Sequence, residues 1–244
     1  MRHTEHNQTR RRRGSGNTII EFALVMVFLF PMFAGAFSIG MALAKGIQVS
    51  NVARDAVVLM VRANQDPTSG LDLSTTQNQR MIVKAAGGLN MNLNAQFDPD
   101  PSGKAVVILS KIILVGPTEC SLGVIPAPSG VPNSTPPGFG WTSGNCANYG
   151  SYVFAYRVVI GNGTRWSSSF GTPPGANVKS DGTISAKDIA TNSAVRASNF
   201  STVTGMTLDP SVYGLVSEMY ADVSFLNFFN ILSNPTVIYA RSIS

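Results

Sequence analysis

Residues 17–44, NTIIEFALVMVFLFPMFAGAFSIGMALA, decide the fold of this chain. From residue 22 to residue 44 the stretch holds 23 residues without a charge. An α-helix rises about 1.5 Å per residue, so this run would be about 35 Å long, which is enough to cross the hydrocarbon core of a bilayer with some tilt. We therefore predict a transmembrane helix over residues 17–44.

The positive charge of the chain is concentrated before this stretch. The formal net charge is +5, and residues 1–16 contribute +4 of it through five arginines and one glutamate. Basic residues beside a membrane span stay in the cytoplasm, so we expect a single-pass protein of the inner membrane, with the leader 1–16 inside and the rest outside. The remaining net charge of +1 does not favour a nucleic-acid partner. The arginines that would fix this topology are Arg10, Arg11, Arg12 and Arg13.

Three interpretations of the N-terminus are open from the residues alone. The first is a plain signal anchor that stays uncleaved. The second is a secretory signal cut after an A-x-A pattern at residues 42–44, although the apolar run is longer than the usual run of about 7–15 residues. The third is a cut after Gly16, which makes Asn17 the first residue and Glu21 the fifth. A carboxylate at the edge of a membrane helix is unfavourable, and the new α-amine of a neighbouring chain would be a suitable partner for it.

The residues around Glu21 resemble the start of TadE-like proteins, the pseudopilins of tight-adherence (Flp-type) pilus systems. The resemblance extends over residues 11–65 and implies processing by a membrane-embedded prepilin peptidase at Gly16 and Asn17, Gly14 being a second candidate for the residue before the cut. It also implies assembly through Glu21 with other pilin or pseudopilin subunits and a secretion platform, rather than catalysis. The positions that match the family motif are Arg13, Gly14, Ile20, Glu21, Phe22, Ala23, Leu24 and Pro31.

The helical pattern continues beyond the apolar run but becomes amphipathic over residues 45–64. Pro31 removes one backbone donor inside the span, so we expect a kink or a loosened turn there. We predict one helix over residues 17–64, whose outer half packs on a globular domain. The alternative is two helices joined near Lys45 and Gly46, because glycine disfavours a helix interior. The apolar positions that recur at three- and four-residue steps are Val49, Val52, Ala53, Ala56, Met60 and Ala63.

Residues 65–244 are predicted to form an extracytoplasmic α+β domain of the pilin-like kind. A second helix is expected over 74–89, with a cap at its start and Gly87 and Gly88 at its end. An antiparallel sheet is expected to pack on the first helix. Asn162 and Gly163 form a hairpin turn signal between two of the predicted strands. The segments rich in β-branched and aromatic residues are 105–115, 152–160, 164–170, 212–225 and 236–243.

Two cysteines, Cys120 and Cys146, lie near the ends of a loop rich in proline and glycine. In an exported domain we expect them to form a disulfide. The alternative is a pair of free, buried thiols. The closed loop would also be the recognition surface of a second candidate function, a membrane-anchored extracytoplasmic binding module.

The sequence contains no recognisable catalytic set. Both histidines, His3 and His6, lie in the leader, and two cysteines alone cannot build a structural zinc site. Around Asp98 and Asp100 we favour a solvated turn over a cation site, and Glu218 and Asp222 are expected among exposed positions on one face of a strand. We therefore predict no enzyme, no cofactor and no metal, and we rank an anchored enzyme third.

Overall fold

The computed structural model describes residues 15–65, 72–91, 100–123, 141–210, 212–223 and 237–244. Over these residues the protein is an α+β protein, as predicted, with a long N-terminal helix leading into a domain built on a four-stranded antiparallel sheet. The helices are α1 (Ser15–Gln65), α2 (Thr76–Ala85), α3 (Pro117–Gly123), α4 (Ala186–Thr191) and α5 (Phe200–Thr204). The strands are β1 (Ala105–Leu114), β2 (Tyr152–Gly161), β3 (Tyr213–Asp222) and β4 (Val237–Ile243).

The helix α1 is continuous over 51 residues. The prediction of one helix is therefore confirmed, and the alternative of two helices joined near Lys45 is wrong. The helical backbone also continues through Pro31, so the missing backbone donor does not end the helix. A single rod thus connects the apolar run to the domain.

The outer half of α1 presents its apolar face to the sheet. It packs against β1, β3 and β4, and the buried residues that α1 contributes to this core begin at Val49. The predicted face is confirmed: Val49, Val52, Ala53, Ala56 and Met60 are buried, together with Val57, and Ala63 is half-buried against the same core. The amphipathic pattern arises because only one side of this half of the helix meets the domain.

The sheet has the strand order β2-β1-β3-β4, and every neighbouring pair is antiparallel. One face, with Leu109, Leu215 and Met219, forms a core with α1 and α2. The opposite face forms a second core with the segments that connect β2 to β3, to which Phe154, Phe170 and Phe200 contribute. Because both faces are covered, β1 is apolar along nearly its whole length rather than alternating.

The predicted strand over 164–170 and the hairpin turn before it are wrong. One edge of β2 pairs with β1, and the other edge forms isolated bridges with Thr183 and Arg196, so a strand from residues 164–170 has no edge to join. The Asn162 side chain instead donates to the Gly103 carbonyl at 2.8 Å. Gly161 has a φ of 91°, and a Cβ there would lie 2.5 Å from the Ala105 carbonyl oxygen. The glycine and asparagine therefore hold the end of β2 against the start of β1.

The other predicted elements differ from the structure mainly at their ends. The helix predicted over 74–89 is shorter, since α2 ends at Ala85 and a 3-10 turn covers Gly87–Leu89. Ser74 does not cap it, because Ser74 binds the Asp72 carboxylate instead. The predicted strands 212–225 and 236–243 are confirmed as β3 and β4, with Ser224, Phe225 and Thr236 outside the described residues.

The two cysteines form a disulfide, as predicted, so the alternative of two free thiols is wrong. Cys120 lies in α3, and Cys146 lies in the turns before β2, with 5.8 Å between their Cα atoms. Both are fully buried in the second core. The bond therefore joins α3 to the segment that leads into β2.

We expect loss of this disulfide to destabilise the domain by about 3.5 kcal/mol on the chain-entropy model, because the bond closes a loop with a sequence separation of 26. Urea unfolding of the full chain in detergent, with and without reductant, measures the loss. The double variant Cys120→Ser/Cys146→Ser should match the reduced protein. Coincident unfolding midpoints for the oxidised and reduced protein would contradict this expectation.

Candidate site for membrane insertion and assembly

The first half of α1 carries large apolar side chains that the domain does not cover. Between Ile19 and Leu43 these side chains are 42–76% exposed. Soluble proteins do not expose a continuous apolar surface of this length to water. The surface therefore needs a lipid bilayer or the helices of other subunits around it. Its large members are Ile19, Ile20, Phe22, Leu24, Val25, Met26, Val27, Phe28, Leu29, Phe30, Met32, Phe33, Phe37, Ile39 and Leu43.

Within the described residues, one helix is long and apolar enough to cross a membrane, and it lies within Thr18–Asn64. Almost none of its most apolar part is buried in the domain. This separates it from the core helix of a soluble protein, which has a similar composition but is covered. Length, composition and exposure are thus those of a single membrane-spanning helix.

Glu21 is the one charged residue between residues 18 and 44. It lies in the first turns of α1 on an exposed part of the helix. The candidate processing residues Gly16 and Asn17 also lie within α1, directly after its first residue. The arginines Arg10–Arg13 are outside the described residues. Glu21 and the candidate cut therefore lie close together at the N-terminal end of α1, because a helix rises only about 1.5 Å per residue.

The other end of α1 is fixed to the sheet by polar contacts. Lys111 of β1 donates to the side-chain oxygen of Asn64 at 2.9 Å, and the Asn64 amide donates to the hydroxyl of Tyr213 on β3 at 2.7 Å. The Lys111 ammonium also lies 4.2 Å from the centre of the Tyr213 ring, a cation–π contact. Burial lowers the pKa of Lys111. These three residues form a polar clamp at the last turn of the helix.

A carboxylate that the sequence placed on the surface is buried instead. Glu218 of β3 is 0% exposed on the sheet face that looks away from α1. Its Oε1 atom accepts from the backbone N–H of Ser169 at 2.9 Å and from the Tyr239 hydroxyl at 3.1 Å, and the Ser169 hydroxyl donates to it as well. The expectation of exposure is therefore wrong, since the segment 166–170 crosses this face and covers it.

Positive charge on β2 and β4 acts on Glu218 from the same side of the sheet. Arg157 of β2 is 7% exposed, and its guanidinium donates to the Gly171 carbonyl at 3.1 Å. Burial lowers the pKa of Arg157, and the Glu218 carboxylate opposes that effect. Arg241 of β4 lies directly opposite Glu218 in the strand register. Burial also raises the pKa of Tyr239, whose hydroxyl donates to Glu218.

Asp222 follows Glu218 on the same face and is also buried, contrary to expectation. The Arg165 guanidinium forms an ion pair with it at 2.6 Å. The same guanidinium lies 4.9 Å from the centre of the Trp166 ring, which in turn stacks on Tyr220. The two carboxylates thus hold the segment after β2 against β3, and this segment takes no strand of its own.

The other candidate positions show no ligand-binding geometry. Asp100 accepts from Ser102 in a turn, as a solvated turn predicts, and Asp98 is outside the described residues. In the described ranges, no group of three His, Cys, Asp or Glu side chains could hold a metal ion. A mostly apolar groove of about 280 Å³ lies between the sheet and α3 and α4, with Lys111 and Glu119 as its charged residues.

These features define the class of protein: an α+β domain carried on one N-terminal helix of membrane-spanning length. Residues 16–57 match the model of the TadE family, which is described as TadE-like protein. The match confirms the resemblance around Glu21, and it covers most of α1 but none of the sheet. No curated protein and no solved structure matches the chain.

We expect the variant Glu218→Ala to destabilise the domain by about 3 kcal/mol. The change leaves Ser169 and Tyr239 without their acceptor and leaves Arg157 buried without an opposing charge. Glu218→Gln should cost less, because it keeps the accepting oxygen. Urea unfolding of the full chain in detergent, followed by near-UV circular dichroism, measures both variants.

The matched control for Glu218 is Asp55→Ala, which removes an exposed carboxylate from α1. It should leave the free energy of unfolding close to that of the unmodified chain. Equal stability of the Glu218→Ala and Asp55→Ala proteins would show that the buried carboxylate contributes nothing.

Proposed function

We propose that this chain is a pseudopilin or minor pilin-like subunit of a tight-adherence pilus assembly system. The observation that carries the proposal is the match of residues 16–57 to the TadE-like family, together with the exposed apolar surface of the same helix. A helix with this surface has two stable environments, the bilayer and a bundle of similar helices. A pilus subunit passes from the first to the second.

The proposed route begins with the leader in the cytoplasm, held there by Arg10–Arg13, and the domain outside the inner membrane. A prepilin peptidase cuts between Gly16 and Asn17. The new α-amine of one subunit then pairs with Glu21 of its neighbour in the membrane, where an unpaired carboxylate is costly. This pairing also sets how far each helix is shifted along its neighbour, so the carboxylate determines the axial position of each subunit during assembly.

We propose that the domain acts through binding and assembly, not through turnover. In the part of the chain that the structure describes, the buried carboxylates Glu218 and Asp222 are engaged with backbone, hydroxyl and guanidinium groups that hold the fold. The disulfide supports the extracytoplasmic placement, since such bonds persist in oxidising compartments.

N-terminal sequencing of the protein purified from membranes tests the processing step. Asn17 as the first residue is the expected result. Lys45 as the first residue would indicate a secreted domain released after residues 42–44, and Met1 would indicate a plain anchor. Either of the last two results leaves the anchored or released binding module as the better interpretation.

We expect Glu21→Ala to leave membrane insertion unchanged and to reduce pilus assembly by at least tenfold. The loss of one ion pair in a low-dielectric site removes more than about 1.4 kcal/mol of stabilising free energy from each contact between subunits. The measurement combines the amount of protein in the membrane fraction with a count of pili on cells that express only the variant.

Asp55→Ala is the control for this experiment, since it removes a carboxylate from the same helix outside the apolar run. It should support normal assembly. Normal piliation of the Glu21→Ala strain would exclude the proposed role of that carboxylate.

A further inference from the structure

Hydrogen bonds from side chains of α1 to backbone carbonyls show which end of the domain lies nearest the apolar run. Lys45 is the first charged residue after the run, and its ammonium donates to the Gly88 carbonyl. Gln48, one turn later, lies within 3.4 Å of the Ala85 carbonyl. The C-terminal end of α2 therefore sits beside the turn of α1 that follows the membrane span.

The same end of the molecule contains the ends of three strands. The backbone N–H of Lys104, just before β1, donates to the Asn90 carbonyl at 2.9 Å. The N–H of Asp222, at the end of β3, donates to the Lys104 carbonyl at 2.7 Å, and Asn162 after β2 binds the Gly103 carbonyl. A chain of direct contacts thus leads from the membrane boundary of α1 across the edge of the sheet.

Positive side chains from distant parts of the sequence belong to the segments that form this end. Lys84 and Lys104 are exposed, Lys45 is half-buried, and the Arg165 side chain is 47% exposed. Among the described residues of these turns and strand ends the carboxylates are Asp100 and Asp222. The ion pair of Arg165 with Asp222 carries no net charge, so the net positive charge comes from Lys45, Lys84 and Lys104. We call the set Lys45, Lys84, Lys104, Arg165 and Trp166 the membrane-proximal rim.

Trp166 gives the rim an aromatic component. Its ring is half-buried and stacks on Tyr220 with 6.3 Å between the ring centres and 8° between the planes. The Arg165 guanidinium lies 4.9 Å from the centre of the same ring. Tryptophan, tyrosine and basic side chains are the residues that membrane proteins place at the level of the lipid headgroups.

We propose that the membrane-proximal rim binds the headgroups of anionic phospholipids in the leaflet on the domain's side of the membrane. The inference rests on the anchored topology proposed above, but it does not depend on pilus assembly. α1 brings the rim to the headgroup layer, and the basic side chains complement the phosphate charge. Binding at this end fixes the tilt of the domain relative to the bilayer before subunits assemble.

Titration of the full chain in nonionic detergent with short-chain phosphatidylglycerol or phosphatidylcholine, read by native mass spectrometry, tests the proposal. We expect tighter binding of phosphatidylglycerol, with a preference that disappears as ionic strength rises. The double variant Lys84→Gln/Lys104→Gln should weaken phosphatidylglycerol binding roughly 25-fold, since each lysine contributes about a fivefold factor near an anionic surface.

The matched control is Lys179→Gln/Lys187→Gln, which removes two exposed lysines away from the rim and should leave lipid binding unchanged. Equal binding of the two lipids, or equal losses in the two double variants, would overturn the proposal. Displacement of the lipid by millimolar inorganic phosphate would also overturn it, because the rim would then recognise free phosphate and not a membrane. Failure of the Glu21→Ala test would leave this result untouched.

Discussion

The burial of the outer half of α1 against the sheet is the interaction on which the rest of the structure depends. Val49, Val52, Ala53, Ala56 and Met60 supply one wall of the larger core, and β1, β3 and β4 supply the other. Without this helix, α2 alone would remain over that apolar face, and most of the face would be exposed to water, which proteins do not tolerate over such an area. The domain is therefore not an independent unit tethered by a flexible linker, since its core includes the extension of the membrane helix.

The patterns with a strong local period allowed reliable prediction from sequence. The uncharged run, the three- and four-residue steps from Val49 to Met60 and the β-branched segments gave the long helix and all four strands. The failures have a common physical cause, which is tertiary context. Asn162 and Gly163 have the composition of a hairpin turn, but β2 has no free edge for the strand that would follow. Glu218 and Asp222 are acidic residues in a strand, and only the fold places Ser169 and Arg165 over them.

The second sheet face shows how a domain with much irregular backbone maintains a defined interior. The segments between β2 and β3 contain short helices and turns, so they satisfy few of their polar groups in regular structure. Side chains of the sheet form hydrogen bonds with these backbone groups instead: Glu218 binds the backbone N–H of Ser169, and Arg157 binds the Gly171 carbonyl. The Asn148 side chain binds the carbonyls of Ile189 and Asn192 in the same way. These polar contacts leave no sequence period, which is why the residues that make them could not be identified from sequence alone.

The absence of a joint in α1 has a mechanical consequence. The rod runs from the candidate processing site to the polar clamp formed by Asn64, Lys111 and Tyr213 without a linker that could absorb strain. Drawing the helix out of the bilayer by one turn must lift the sheet by about 5.4 Å, and rotating it about its axis must turn the sheet with it. A force applied at either end of α1 therefore displaces the other end. The position of the domain relative to the membrane follows the depth of the helix in the bilayer.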